Sequence, residues 1–203
     1  MSKVKRLSLL ESEKRVVIVA GANGVGKTTF ALQFLHEYDY EFLNADEIAK
    51  ELSSENPTEK KISAGKVFFK KLREATAQGK SLLIESTLSG RYLRDHFEIW
   101  KERAYQIQIV FIIVDAPEVS IARIAERVKK GGHFVPDKDV RRRFVRGQNN
   151  FWEIYKNLAD HWALIYNSED NFREIAFGEK EDFLITDEDL FEILKGGLNA
   201  ERK

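Results

Sequence analysis

Residues 16–29 read Val16-Val17-Ile18-Val19-Ala20-Gly21-Ala22-Asn23-Gly24-Val25-Gly26-Lys27-Thr28-Thr29. A β-branched run is followed at once by the spacing G-x-x-x-x-G-K-[ST], with a helix-forming stretch behind it. Gly21, Gly24 and Gly26 allow a tight loop whose backbone N–H groups point inward. Together with the N-terminus of the next helix, those donors form a cradle for phosphate oxygens. Gly21, Ala22, Asn23, Gly24, Val25, Gly26, Lys27, Thr28 and Thr29 are therefore the expected nucleotide contacts. Lys27 is placed to reach β- and γ-phosphates, and the Thr28 hydroxyl is placed to ligate Mg²⁺.

Outward from this loop, apolar runs alternate with helix-forming ones. Strands are predicted at 16–20, 40–43, 81–85, 107–115 and 163–166, and an edge strand at 172–177. Helices are predicted at 27–37, 46–53, 58–78, 91–103, 119–130, 139–162 and 187–194. The charged stretch 53–61 reads as a mobile surface connection. This alternation predicts an α/β domain with a P-loop NTPase fold: a parallel sheet of about five strands, with helices on both faces and a basic helical lid. The whole of residues 1–203 is read as one domain, with the lid at about 117–150. Ligands of such sheets bind beyond the carboxyl ends of the strands. The loop at Gly21, then Asp46, then Glu85 follow the first three strands in that position.

Composition narrows the function classes. The chain has 203 residues, 33 basic and 33 acidic side chains, no cysteine and four histidines. Balanced charge gives no field that favours nucleic acid or a membrane surface. Disulfides and thiolate metal sites are excluded. The N-terminal apolar stretch is broken by Glu11 and Glu13, too short for a secretory leader, and no run is long enough to span a membrane. The expectation is a reduced, cytoplasmic protein.

Phosphoryl transfer needs a phosphate cradle, a magnesium site, cations near the γ-phosphate and a proton acceptor. Asp46, beside the loop, fits the general base; it equally fits the N-cap of the helix it opens. Asn44 is read as a cap or a substrate contact. Glu85 fits either the magnesium shell through water or a hydrogen bond to the acceptor, against a plain surface carboxylate. It leads into the hydroxyl-rich Ser86-Thr87-Leu88-Ser89-Gly90, from which Thr87 is taken as an acceptor contact. Asp115 reads as a strand-ending turn rather than a metal ligand.

The stretch 127–146 carries Arg127, Lys129, Lys130, Lys138, Arg141, Arg142, Arg143 and Arg146 around Gly131-Gly132-His133. Guanidinium groups flanking a glycine hinge suit a lid that covers phosphate and places an arginine on transition-state charge. A solvated basic face and a nucleic-acid patch are the competing readings. The aromatics Phe151, Trp152, Tyr155 and Trp162 read as packing rather than a base-stacking platform.

Five ordered segments carry a family resemblance: 20–29, then Phe42-Leu43-Asn44-Ala45-Asp46-Glu47-Ile48-Ala49, Ile84-Glu85-Ser86-Thr87-Leu88-Ser89-Gly90-Arg91, Arg127-Val128-Lys129-Lys130-Gly131-Gly132-His133-Phe134-Val135-Pro136, and Arg142-Arg143-Phe144-Val145-Arg146. In these the chain resembles the zeta-toxin-like P-loop kinases, in the stand-alone predicted ATPase branch. The resemblance implies ATP and Mg²⁺ as cofactors. It implies transfer of the γ-phosphoryl to a hydroxyl of a nucleotide sugar such as UDP-N-acetylglucosamine. It implies Lys27 and Thr28 on phosphate and metal, Asp46 as base, Glu85 on the acceptor, and Arg127 with Arg142, Arg143 or Arg146 on the transferred group. A small helical antitoxin protein is the implied partner. Two other readings stand beside it: a polynucleotide 5′-hydroxyl kinase or nucleic-acid-binding ATPase, favoured by the basic stretch and opposed by the balanced charge, and a partner-controlled nucleotide-binding switch.

Overall fold

In the computed structural model, residues 14–51, 57–168 and 171–199 are described. The leader reading of residues 1–13 and the part of the predicted connection at 53–56 lie outside them. β1 (Arg15–Ala20) sits at the centre of the sheet. All five residues from Val16 to Ala20 are buried, as expected of a parallel strand covered on both faces. It pairs in parallel with β3 (Leu82–Ser86) on one side and β4 (Gln106–Ile113) on the other. β2 (Glu41–Asn44) adds in parallel to β3, and β5 (His161–Tyr166) to β4. Two antiparallel strands, β6 (Arg173–Glu179) and β7 (Asp182–Ile185), complete a seven-stranded sheet in the order β2-β3-β1-β4-β5-β6-β7.

Alternate residues of β1 feed two cores. Val16, Ile18 and Ala20 face α3 (Pro57–Ala77), α4 (Arg94–Glu102) and α8 (Glu188–Asn199), through Phe68, Leu72, Phe97, Trp100, Phe191 and Leu194. Val17 and Val19 face α1 (Lys27–Glu37), through Ala31 and Phe34. The two-residue period of the strand thus fixes which helix covers which face. The remaining helices are α2 (Ala45–Glu51), α5 (Pro117–Lys129), α6 (Asp137–Asn150) and the short α7 (Lys156–Leu158). Among the described residues no helix is long and apolar enough to cross a membrane.

Three expectations are corrected. The sheet has seven strands rather than about five, because the hairpin β6–β7 extends it past β5. Residues from Pro57 onward belong to α3, not to a connection. The predicted single helix at 139–162 is three structures: α6, a π-helical turn at Phe151–Tyr155, and α7, after which Trp162 lies in β5. The break is fixed by Asp160, whose carboxylate accepts from Ile107 N at 2.8 Å and whose N–H donates to Ile107 O at 2.9 Å. That pairing docks the chain onto β4 and ends the helix.

Candidate functional site

β1 delivers the chain to Gly21, and the loop closes through left-handed Gly24 (φ 83) and Gly26 (φ 98) into α1. Gly26 has no substitute: its φ disfavours a side chain, and a Cβ there would sit 2.5 Å from Asn167 Nδ2. Val25 is fully buried and anchors the loop in the core.

Lys27 opens α1 and is 6% exposed. Its Nζ donates to Ala22 O across the loop at 2.8 Å and lies 3.8 Å from Glu85 Oε1. Thr28 Oγ1 donates to Glu85 Oε2 at 2.9 Å, and Asn44 Nδ2 donates to the same oxygen at 2.8 Å. Register explains the meeting: Asn44 and Glu85 are partnered across β2 and β3, and Glu85 is partnered with Val19 of β1. Three strand ends are therefore level beside the phosphate loop.

Asn44 Oδ1 accepts from Asp46 N at 2.8 Å and from Glu47 N at 3.4 Å. Asn44, not Asp46, therefore caps α2. The Asp46 carboxylate is left to line the cleft, together with Glu47. Burial pushes the Lys27 ammonium below the ordinary lysine range, and the attraction of Glu85 and then Asp46 opposes this. Burial pushes Glu85 above the ordinary carboxylate range, and Lys27 and the Thr28 hydrogen bond oppose that.

These groups form one wall of a cleft of about 550 Å³. The opposite wall is α5, the segment between α5 and α6, and the β5–β6 connection, contributing Arg123 and Arg127, His133, and Asn167 and Phe172 respectively. Arg123 donates to Asn167 O at 2.7 Å and to Ser168 O at 2.9 Å. Arg127 donates to His133 O at 2.8 Å. Asn167 Nδ2 donates to Val25 O at 2.9 Å, tying this wall to the phosphate loop. From α6, Arg143 donates to Asn23 Oδ1 of the loop at 2.8 Å.

The expected arginines divide accordingly. Arg127 lines the cleft, and Arg143, outside its lining, is bonded to the phosphate loop at Asn23. Arg142 is half-exposed and paired with Asp139 at 2.9 Å, and Arg146 is exposed; neither lines the cleft. For Arg142 the reason is the helical rotation of about 100° per residue, which turns it away from the side on which Arg143 reaches the loop. Thr87 also lies outside the cleft lining and pairs with Ser89 Oγ at 2.8 Å. Asp115 is exposed and accepts twice from Tyr166 OH, at 3.0 and 3.1 Å, as a strand-ending turn would. Arg123 and Asn167 are cleft residues that the sequence reading missed. For Arg123 there was a signal: it sits four residues before Arg127, on the same side of α5.

The donor set fits a nucleotide and a hard cation. The amide cradle is free of side-chain bulk, and a desolvated lysine closes it. Because the Thr28 hydroxyl donates its hydrogen bond to Glu85, its lone pairs remain for a divalent ion of the oxygen-seeking kind.

Residues 16–146 match the AAA domain family. An uncharacterized protein of Haemophilus influenzae is 30% identical over 139 residues, which is 68% of this chain and 99% of that protein. A cytidylate kinase of Saccharolobus islandicus is 27% identical over 93 residues; the match takes in 41% of this chain and about half, 49%, of the kinase. Among solved structures, a chain of the PezAT chromosomal toxin–antitoxin system of Streptococcus pneumoniae superposes with TM-score 0.62 at 16% identity, over 97% of this chain and 91% of that one. A chain of the AvrRxo1-ORF1:-ORF2 complex with ATP superposes with TM-score 0.70 at 17% identity, over 93% and 65%. At these identities the structural likeness shows a shared P-loop kinase fold.

Proposed function

The chain belongs to the AAA domain family, and we propose that it is an ATP-dependent phosphotransferase that moves the γ-phosphoryl of ATP to a hydroxyl of a small molecule, with a nucleotide sugar such as UDP-N-acetylglucosamine as the acceptor. One observation carries this reading. Glu85 gathers Lys27 and Thr28 at the phosphate loop, while Asp46, freed from capping by Asn44, lines the same cleft.

Lys27 and the loop amides would hold the β- and γ-phosphates, and Thr28, backed by Glu85, would hold Mg²⁺. A bound Mg²⁺ supplies charge neutralisation at the phosphates. The acceptor oxygen bonds to the γ-phosphorus as the bond to the β,γ-bridging oxygen breaks and ADP leaves. Asp46 takes the hydroxyl proton and passes it to water. Residues 117–150 act as the lid, and Arg127 and Arg143 stabilise charge on the transferred group. The likeness to a chain of the PezAT toxin–antitoxin system supports a protein partner of the antitoxin kind, and the likeness to a chain of the AvrRxo1-ORF1:-ORF2 complex supports a protein partner.

The test is incubation with γ-labelled ATP, Mg²⁺ and a panel of nucleotide sugars headed by UDP-N-acetylglucosamine, beside an Asp46→Ala control. Labelled sugar nucleotide is expected from the unmodified protein, and Arg127→Ala should lower the rate on the order of 10³-fold. Labelling no greater than in the Asp46→Ala control overturns the proposal.

A further inference from the structure

Shortly beyond Glu85 the backbone enters a strained conformation. Ser86 is partnered with Ala20, so the segment starts level with the phosphate loop. Leu88, two residues on, is fully buried with φ +49, in the left-handed region that β-carbon-bearing residues avoid. Such a conformation persists only where its surroundings over-determine it.

Here they do so from three directions. Ser86 Oγ accepts from Leu88 N at 3.1 Å and is itself 2.9 Å from Tyr92 OH. Asn150 Nδ2 donates to Leu88 O at 2.8 Å, and Tyr155 OH donates to Gly90 O at 2.9 Å. The Thr87 carbonyl lies against Gly147, where a Cβ would come within 2.7 Å of it.

Asn150 and Tyr155 are five residues apart. On an α-helix they would face about 140° away from each other, at roughly 100° per residue. In a π-helical turn, where hydrogen bonds run i to i+5, residues at this spacing return to the same side. The π-helical turn at Phe151–Tyr155 therefore sets two donors side by side, facing carbonyls two residues apart in the segment. It continues directly from α6, which carries Arg143 to Asn23 in the phosphate loop. One unbroken helical run thus touches the phosphate loop and the segment after Glu85.

We propose that the π-helical turn is a clamp that sets the shape of Ser86–Gly90, the segment holding the expected acceptor contact Thr87, with Asn150 and Tyr155 as positioning residues. This rests on the kinase reading above. Beyond Glu85 and outside the lining of the phosphate cleft, the paired hydroxyls of Thr87 and Ser89 and the half-exposed ring of Tyr92, its hydroxyl held at Ser86, are the polar groups that a hydroxylated acceptor would meet on that side. Burial holds the Tyr155 hydroxyl protonated far above neutrality, so it remains a donor throughout the working range.

Tyr155→Phe removes one hydrogen bond and keeps the ring; Asn150→Ala removes the other. Each variant is measured twice. Amide hydrogen exchange of residues 86–92 needs no acceptor, and initial rates of transfer from ATP to UDP-N-acetylglucosamine give the separate KM values. Faster exchange confined to 86–92 is expected, with the KM for the sugar nucleotide raised about ten-fold, the scale of one lost hydrogen bond, and the KM for ATP unchanged. Wild-type exchange in 86–92, or KM values for sugar and ATP that rise together, overturns the clamp. If Asn150→Ala does not fold, Tyr155→Phe decides alone. Should the unmodified protein label no sugar, the kinase reading fails and the acceptor role of the loop falls with it. Should it label one while both variants behave as wild type, only the clamp falls.

Discussion

Glu85 is the residue on which the site turns. Its two oxygens engage Lys27, Thr28 and Asn44, and burial opposes its charge. The folded state therefore holds a proton on Glu85 more tightly than the unfolded chain does. Stability from this group is fully present below the ordinary glutamate value and is lost as pH rises through the raised one. Glu85→Gln, which keeps the shape and cannot ionise, should remove that loss. Urea denaturation of both proteins across the acid range measures it, and a variant that retains the wild-type slope would contradict the assignment. The same substitution takes away the charged acceptor of the Thr28 hydroxyl and should slow phosphoryl transfer by about 10- to 100-fold, the range of a lost hydrogen bond to a charged group. Lys27, Thr28, Asp46 and Glu85 were legible in the chain because each lies in the loop motif or directly at a strand end. Arg123 and Asn167 were less so. Asn167 matters because the β5–β6 connection returns its amide to Val25 O, a contact that no local pattern announces.

At the scale of elements, α6 and its continuation show where periodicity misleads. The apolar stripe from Val140 through Phe144 and Phe151 runs on to Trp162 without a gap, so the sequence reads as one helix. Phe151 stacks on Phe111 with ring centroids 4.4 Å apart, and Trp162 is buried in β5; both satisfy the stripe from different backbone geometries. Lys156, 1% exposed, adds a second surprise. It pairs with Glu181 at 2.8 Å and lies over the Trp152 ring at 4.7 Å, fastening the β6–β7 turn to the helical side. The helices also contain a matched pair of glycines. Gly65 in α3 has open space around it, whereas a Cβ on Gly147 in α6 would meet the Thr87 carbonyl at 2.7 Å. Alanine favours a helix over glycine by about 1 kcal/mol. Gly65→Ala should therefore stabilise the protein by up to that amount. At Gly147 the gain is opposed by overpacking of about 1–3 kcal/mol, so Gly147→Ala should be neutral to destabilising and should displace the Ser86–Gly90 backbone. Urea midpoints of the two variants check the contrast; equal stabilisation by both would show that α6 does not press on the loop.

Across the whole molecule, the cleft joins distant parts of the chain. One wall comes from the ends of β1, β2 and β3; the other comes from α5, the segment between α5 and α6, and the connection after β5. Asn167 bonds Val25 O and so ties the second wall to the phosphate loop, Arg123 braces that wall internally through the backbone of Asn167 and Ser168, and Arg143 reaches Asn23 of the loop from α6. The β-α order that creates this arrangement is written in the alternation of apolar runs, which is why the parallel core was legible. The hairpin that widens the sheet was half legible: its first strand, β6, was expected as the edge strand at 172–177, and its second, β7, was not. The hairpin's turn residue Lys180 has φ 51, a conformation usually signalled by glycine or asparagine. Because both walls bear on the phosphate loop, a bound triphosphate should stabilise the folded chain as one unit. Magnesium ATP at about 100 times its Kd contributes roughly 2.7 kcal/mol to a protein that binds it only when folded. For a chain of this size that corresponds to a rise of about 5–10 °C in Tm. Differential scanning calorimetry should show this shift in the unmodified protein. It should be absent in Lys27→Ala, which lacks the cation that closes the cradle but keeps the glycine loop and Val25 anchor. A Tm indifferent to magnesium ATP in the unmodified protein would separate this fold from nucleotide binding, and an equal shift in Lys27→Ala would move the triphosphate away from the loop.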